Sequence, residues 1–135
     1  MTRISSAAYV TAVLHFLQAY NRGDMKDCER FLDPAVEWHS AITYAGRPGV
    51  MDMLKTLRSR WSQPQVRPDD FRETHGHVLM IVNFHEGDAE APQRDERQSW
   101  IAHVNDEGLI YRVVSYTSPG EAARALEALA PKVHA

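Results

Sequence analysis

Apolar residues at the N-terminal end of the chain recur at helical spacing. Val10, Val13, Leu14 and Leu17 fall at i, i+3, i+4 and i+7, which lines one helix face. Tyr9, Val13, Phe16 and Tyr20 form an adjoining apolar stripe, while Thr11, His15, Gln18 and Arg22 repeat at the same spacing and are all polar. This pattern predicts a helix over about Ser6 to Asn21, enclosed by other elements on its apolar sides. Gly23 supplies the left-handed residue that commonly closes a helix, and Asp24 can cap the next one. The second helix carries Met25, Cys28 and Leu32 on one side, until Pro34 forbids its continuation.

Beyond Pro34 the period changes to two. Val36 and Trp38 alternate with Glu37 and His39, which reads as a strand with one buried face. Pro48 fits the first turn of a third helix, whose apolar side carries Val50, Met53, Leu54, Leu57 and Trp61. Phe71–His75 and Val78–His85 then read as strands joined by a tight turn at Gly76. A polar segment from Glu86 to Asp95, containing Gly87, Asp88 and Pro92, reads as a longer mobile connection. Glu96–Val104 and Leu109–Thr117 form a second hairpin around Asn105-Asp106-Glu107-Gly108. Finally, Ser118-Pro119-Gly120-Glu121 combines a capping box with proline at the first helical position. It opens a C-terminal helix with Ala122, Leu126 and Leu129 on one side. The order is helix, helix, strand, helix, four antiparallel strands, helix. Helices segregated to one face of an antiparallel sheet make an α+β domain. No repeat or linker divides the chain, so positions 1–135 read as one domain with a core at about 6–129.

Composition narrows the functional classes. A chain of 135 residues buries about two-thirds of the surface exposed by its unfolded form, enough for one core without staples. Net charge is −3 and no two basic residues are adjacent, so a nucleic-acid surface is not expected. Cys28 is the single cysteine, which excludes an intramolecular disulfide and points to a reducing compartment. Neither a leader-like segment nor a membrane-length apolar run stands out, so the expectation is a cytoplasmic protein without membrane contact. With no dinucleotide fingerprint, P-loop or strong metal motif, no cofactor is expected.

The stretch from Tyr20 to Leu54 is the most distinctive. It reads Tyr-Asn-Arg-Gly-Asp, then Phe-Leu-Asp-Pro-Ala-Val-Glu-Trp-His, then Tyr-Ala-Gly-Arg-Pro-Gly-Val. This order and wording resemble the SnoaL-like branch of the nuclear-transport-factor-2-like superfamily, with polyketide-cyclase-like and ketosteroid-isomerase-like members, over roughly Ser6 to Leu129. The resemblance implies a curved sheet wrapped around the N-terminal helices as a cone. It also implies an apolar pocket between the concave sheet face and the first and third helices. Strand alternation then turns Trp38, Trp100, Ala102, Val113 and Ser115 inward. Phe16, Tyr20, Leu57 and Trp61 line the walls from the helices, and Tyr44 lies near the mouth. Such aromatic walls suit a flat or cyclic hydrophobic molecule; the alternative is that the same residues simply fill the core.

The resemblance also tests chemistry. Ketosteroid isomerases of this fold use a tyrosine on the first helix, an aspartate base on the first strand and a protonated aspartate on a later strand. Alignment puts Phe16, Trp38 and Trp100 at those positions, and none of the three can do that work. The buried Asp-Arg-Asp arrangement of limonene-epoxide-hydrolase-like members has no match on inward strand positions, and the acid/base group of the polyketide cyclases has no residue-by-residue match. The titratable groups expected nearest the pocket mouth are His39 and Tyr44, either side of Ser40-Ala41-Ile42-Thr43, although alternation sends His39 outward. His75 and His77 share a strand face, but no companion ligand stands at motif spacing, so no metal is expected. Two functions therefore stay open. One is a pocket protein that binds, and converts by cyclase, isomerase or hydrolase chemistry, a small cyclic hydrophobic molecule; the other is a non-catalytic ligand-binding or protein-interaction module. Ile101, His103, Val114 and Tyr116 point outward on the later strands, and this apolar sheet face predicts a homodimer.

Overall fold

The apolar stripes of the N-terminal segment fold as α1 (Ser6–Arg22), burying Tyr9, Val13, Phe16, Leu17 and Tyr20 and exposing Thr11, His15, Gln18 and Arg22. The computed structural model describes residues 6–59, 65–74, 76–86, 94–116 and 118–129. Gly23 ends α1 at a positive φ of 76°, and the Asp24 carboxylate accepts the N–H of Asp27 at 3.0 Å to start α2 (Met25–Glu29). The second helix is shorter than its sequence pattern predicts. Leu32 already belongs to β1 (Leu32–His39), and Pro34 lies inside that strand. The ladder from β1 breaks between Leu32 and Glu37, so the missing N–H of Pro34 falls where regular pairing is interrupted. The Asp33 carboxylate holds this irregular stretch by accepting the Ala35 N–H at 2.8 Å.

A short strand that periodicity does not reveal follows, β2 (Thr43–Ala45), folded back on β1 with Trp38 opposite Tyr44 and His39 opposite Thr43. Next comes α3 (Arg47–Ser59), which buries Val50, Met51 and Leu54. The remaining elements are β3 (Gln65–Thr74), β4 (His77–Glu86), β5 (Arg94–Val104), β6 (Ile110–Tyr116) and α4 (Pro119–Leu129). β3 starts earlier than predicted and takes in Pro68, which an edge strand tolerates. Glu86 and Arg94 pair across β4 and β5, so the predicted connection is shorter at both ends; its middle, 87–93, lies outside the described residues.

The sheet order is β2-β1-β6-β5-β4-β3. Every pairing is antiparallel except β1 with β6, which is parallel and corrects the expectation of a wholly antiparallel sheet. The long excursion between those two strands is what permits the parallel approach. Register breaks in the β1–β6, β3–β4 and β5–β6 ladders bend the sheet into a curve. The architecture is α+β, with α1 packed against β3, β4 and β5 and α3 against β1 and β2. One side chain serves as a surrogate strand neighbour. The Asn21 amide donates to the Val66 carbonyl at 2.9 Å and accepts the Val66 N–H at 2.7 Å, fastening the end of α1 to the β3 edge.

The convex face is not the open apolar patch that sequence alternation suggests. α4 lies on it, burying Leu79 and Ile101 against Ala122 and Leu126, with Tyr116 packed beside them. Ile101 is fully buried, Val114 is half-buried, and His103 is only 7% exposed. The predicted pairing of two copies through this face therefore loses the exposed apolar surface from which it was argued. His103 and His77 stand opposite each other on β5 and β4, their Nδ1 atoms 2.7 Å apart. At that distance one Nδ1 must donate and the other accept, so the pair needs at least one neutral ring. Burial, reinforced by neighbouring His77, Arg112 and His39, pushes His103 down to about 4. Tyr111 covers it from β6, its ring centroid 5.9 Å away.

Two predictions arise from this framework. Gly76 has φ +84°, and a Cβ there would lie 2.8 Å from the Val104 carbonyl oxygen, whereas Gly108 has φ +81° with nothing within 4 Å. Gly76→Ala should therefore cost about 2–3 kcal/mol of stability in urea unfolding, and Gly108→Ala about 1. The second concerns pH. Because the folded His103 takes a proton only near pH 4, the unfolded chain binds that proton first as pH falls from about 6.5. Its contribution is complete above that pH and is lost on the way down, to the extent of about 3 kcal/mol at most. His103→Gln should flatten this limb of the stability–pH curve, measured between pH 7.5 and 4.

Candidate functional site

Between α3 and the concave face of the sheet lies an open cleft of about 520 Å³. Trp38 and Trp100 come to it from β1 and β5, with Gln98 beside Trp100 and with Ser40 and Tyr44 from the β1–β2 hairpin. The opposite wall is one face of α3, formed by Gly49, Asp52, Met53, Thr56 and Leu57 at helical spacing. Apolar surface dominates, and Asp52 is the one carboxylate on the lining among the described residues.

The indoles of Trp38 and Trp100 meet edge to face, centroids 4.9 Å apart and planes at 84°. They belong to strands separated by β6. Their partners across its ladders, Val113 and Ser115, are small enough to leave the rings room above the strand. The Trp100 indole N–H donates to Gln98 Oε1 at 2.9 Å, and the Ser115 hydroxyl donates to the same oxygen at 3.4 Å. Phe16 packs behind Trp38 at 6.4 Å, so the positions aligned from a helix and two strands do converge in space.

The predicted residues divide by depth. Trp38, Trp100, Leu57 and Tyr44 stand on the cleft. Phe16, Tyr20, Ala102 and Val113 lie behind it, around small voids of only about 10 Å³. Ser115 takes part through its bond to Gln98, and Trp61 lies outside the described residues. His39 and Tyr44 occupy opposite faces of the sheet. Tyr44 shares the face of its partner Trp38, while His39 shares the other with Glu37 and Thr43. His39 Nε2–H donates to Glu37 Oε1 at 2.8 Å, and its Nδ1 lies 3.4 Å from the Thr43 hydroxyl. Periodicity could have found Gln98, which sits two residues before Trp100 and so on the same strand face. Gly49, Asp52 and Thr56 carried no comparable signal, since the polar side of a helix ordinarily faces water.

Other chemistry-bearing groups are accounted for structurally. Cys28 is fully buried and its thiol is pushed up to about 12 by burial and by Asp27 and Asp24, so it is no nucleophile. Asp33 Oδ2 accepts from the Asn105 side chain at 3.3 Å, tying β1 to the β5–β6 turn. Among the described residues no three His, Cys, Asp or Glu side chains are grouped to hold a metal, and no helix is long and apolar enough to cross a membrane. His75 and the His85 side chain lie outside the described residues.

Comparison with known proteins agrees with this architecture. The SnoaL-like domain model matches residues 13–113. No curated protein matches the chain in sequence. Among solved structures, a cystatin-fold protein from Novosphingobium aromaticivorans is similar at a TM-score of 0.69 and 16% identity, over 80% of this chain and 97% of that one. A candidate polyketide cyclase from Sinorhizobium meliloti is similar at 0.67 and 12% identity, over 78% and 94%. TerC co-crystallised with polyporic acid is similar at 0.69 and 16% identity, over 89% and 98%. At such identities these likenesses establish a common fold.

Proposed function

Because the chain belongs to the SnoaL-like domain family, we propose that it binds a small cyclic hydrophobic molecule in the cleft between α3 and the concave sheet face. The observation that carries this reading is a contrast in packing. The interior around Phe16, Leu17 and Trp100 is filled to voids of about 10 Å³, yet beside it the chain leaves about 520 Å³ open against two indoles. A chain that packs this closely has no need of such a cleft for stability. Its size falls within the range of small-molecule sites, which are mostly apolar with a few placed polar groups. Trp38 and Trp100 offer ring faces and edges to a flat molecule, and Met53 and Leu57 adapt to it from α3.

A second reading, conversion of the bound molecule, draws support from Tyr44 and Asp52. Both line the same cleft, a hydroxyl on one wall and a carboxylate on the other. An intramolecular ring closure or isomerisation needs one group to take a proton and another to steady the developing oxyanion. Polyketide-cyclase-type chemistry is the reaction class that fits this pair, while the His39 ring lies on the other face of the sheet with Glu37 and Thr43. If turnover is found, Asp52→Asn should lower kcat about 100-fold or more while leaving ligand affinity in place.

Tryptophan emission gives the direct test of binding. Titration with polyporic acid and a panel of steroids, terpenes and aromatic polyketides should produce a saturable change with at least one compound. A Cβ at Gly49 meets nothing within 4 Å, so Gly49→Phe should fill the cleft and abolish that change without lowering the melting temperature. Unchanged emission across the whole panel would remove the proposal.

A further inference from the structure

The convex face carries a pair of metal-ligating side chains that the cleft does not use. His77 and His103 are 26 residues apart in sequence and meet only through the β4–β5 register. The Val104 N–H donates to the Gly76 carbonyl at 2.8 Å, which makes His77 and His103 the adjoining non-hydrogen-bonded pair. Side chains of opposite residues come closest at such pairs. The two rings accordingly stand with centroids 4.7 Å apart and planes at 74°, and their Nδ1 atoms approach to 2.7 Å. Leu79 and Ile101, the next pair along this face, lie under α4. His77 is only half-buried, which gives the histidine pair an approach from solvent.

That separation suits one coordination geometry. With metal–nitrogen bonds of about 2.0 Å, two nitrogens at a right angle are about 2.8 Å apart, and two at the tetrahedral angle about 3.3 Å. The observed 2.7 Å matches neighbouring corners of a square-planar or tetragonal centre, the arrangement that Cu(II) and Ni(II) prefer. Neutral imidazole is the ligating form, and the hydrogen bond between the rings already requires at least one neutral ring. We propose that His77 and His103 form a two-histidine site for a late divalent transition metal, Cu(II) foremost, bound at the two Nδ1 atoms. The metal takes the place of the hydrogen between the rings. In the doubly neutral pair that proton passes to Nε2 of its own ring, so both Nδ1 lone pairs face the metal and no proton is released. Water fills the remaining equatorial positions, since no third His, Cys, Asp or Glu is grouped with the pair among the described residues. Arg112, opposite His103 on β6, is exposed, so its charge is screened by solvent. Cu(II) binds nitrogen ligands more tightly than the other first-row divalent ions do, which fits a site with only two protein ligands. The site is on the opposite face of the sheet from the cleft and stands or falls independently of it.

Titration of tag-free, EDTA-stripped protein with Cu(II) alone, followed by electron paramagnetic resonance, tests it. The wild type should take up one Cu(II) per chain saturably, with hyperfine structure from two equatorial imidazole nitrogens. His77→Gln and His103→Gln should each weaken uptake about 10-fold or more, at least the effect of losing an outer hydrogen-bond partner. His15→Gln, on the exposed side of α1, should leave uptake unchanged. If His103→Gln does not fold, the half-buried His77 and the wild-type spectrum decide the matter. Uptake that does not saturate, a spectrum with fewer than two nitrogens, or undiminished uptake by His77→Gln overturns the site. An equal loss in His15→Gln assigns the metal to scattered surface histidines and also overturns it.

Discussion

The contact between Trp38 and Trp100 divides this molecule into what is packed and what is left open. Their rings come from strands that are not neighbours and meet at 4.9 Å only because β6 carries small side chains beneath them. Behind the pair, Phe16, Leu17 and Met80 close the interior. In front of it the cleft begins. The contact depends in turn on the parallel docking of β1 against β6, which sets Trp38 beside Val113 and, one strand further, within reach of Trp100. Either indole contributes large apolar burial, on the order of 2–3 kcal/mol, but position is its more important contribution.

Two buried polar groups near the indoles illustrate opposite solutions. The Trp100 N–H has the Gln98 oxygen at 2.9 Å, an arrangement complete within the chain. The Tyr20 hydroxyl, on a residue that lines a small void together with Trp100, has no such bond among the described residues. A fold optimised for stability alone would satisfy or remove that hydroxyl, because orphaned buried polar groups are rare in native proteins.

The two faces of the sheet have separate duties. The concave face holds α1, α3 and the cleft, while the convex face is closed by α4 over Leu79 and Ile101 and by the His77–His103 pair. This separation explains why His39, one residue from Trp38, shares nothing with the cleft. Alternation places adjacent strand residues on opposite faces, and Glu37 and Thr43 occupy its ring nitrogens there. It also links acid sensitivity to the convex face, since His103 must stay neutral to remain buried.

Much of this architecture was already legible in the sequence, because its signals are local. The stripes of α1, the Gly23 stop, the Asp24 cap, Pro48 at the start of α3 and the two glycine-containing hairpins each follow from the conformational preferences of a few neighbouring residues. The inward alternation of Trp38 and Trp100 is local in the same sense. What needed the folded chain was pairing and depth. Leu32 reads as a helix residue until its partner Ile110 recruits it to a strand, and β2 is too short to declare itself except against β1. Ile101 and Tyr116 look exposed until α4, from beyond the sheet in sequence, covers them. Asp52 and Thr56 look solvated until α3 turns that face over the cleft. In the same way Tyr20 is one more apolar-stripe residue until its hydroxyl proves buried without a bond. Local spacing fixes which face a side chain takes; only the tertiary structure decides what stands opposite that face, because long-range packing carries no trace in the period of the chain.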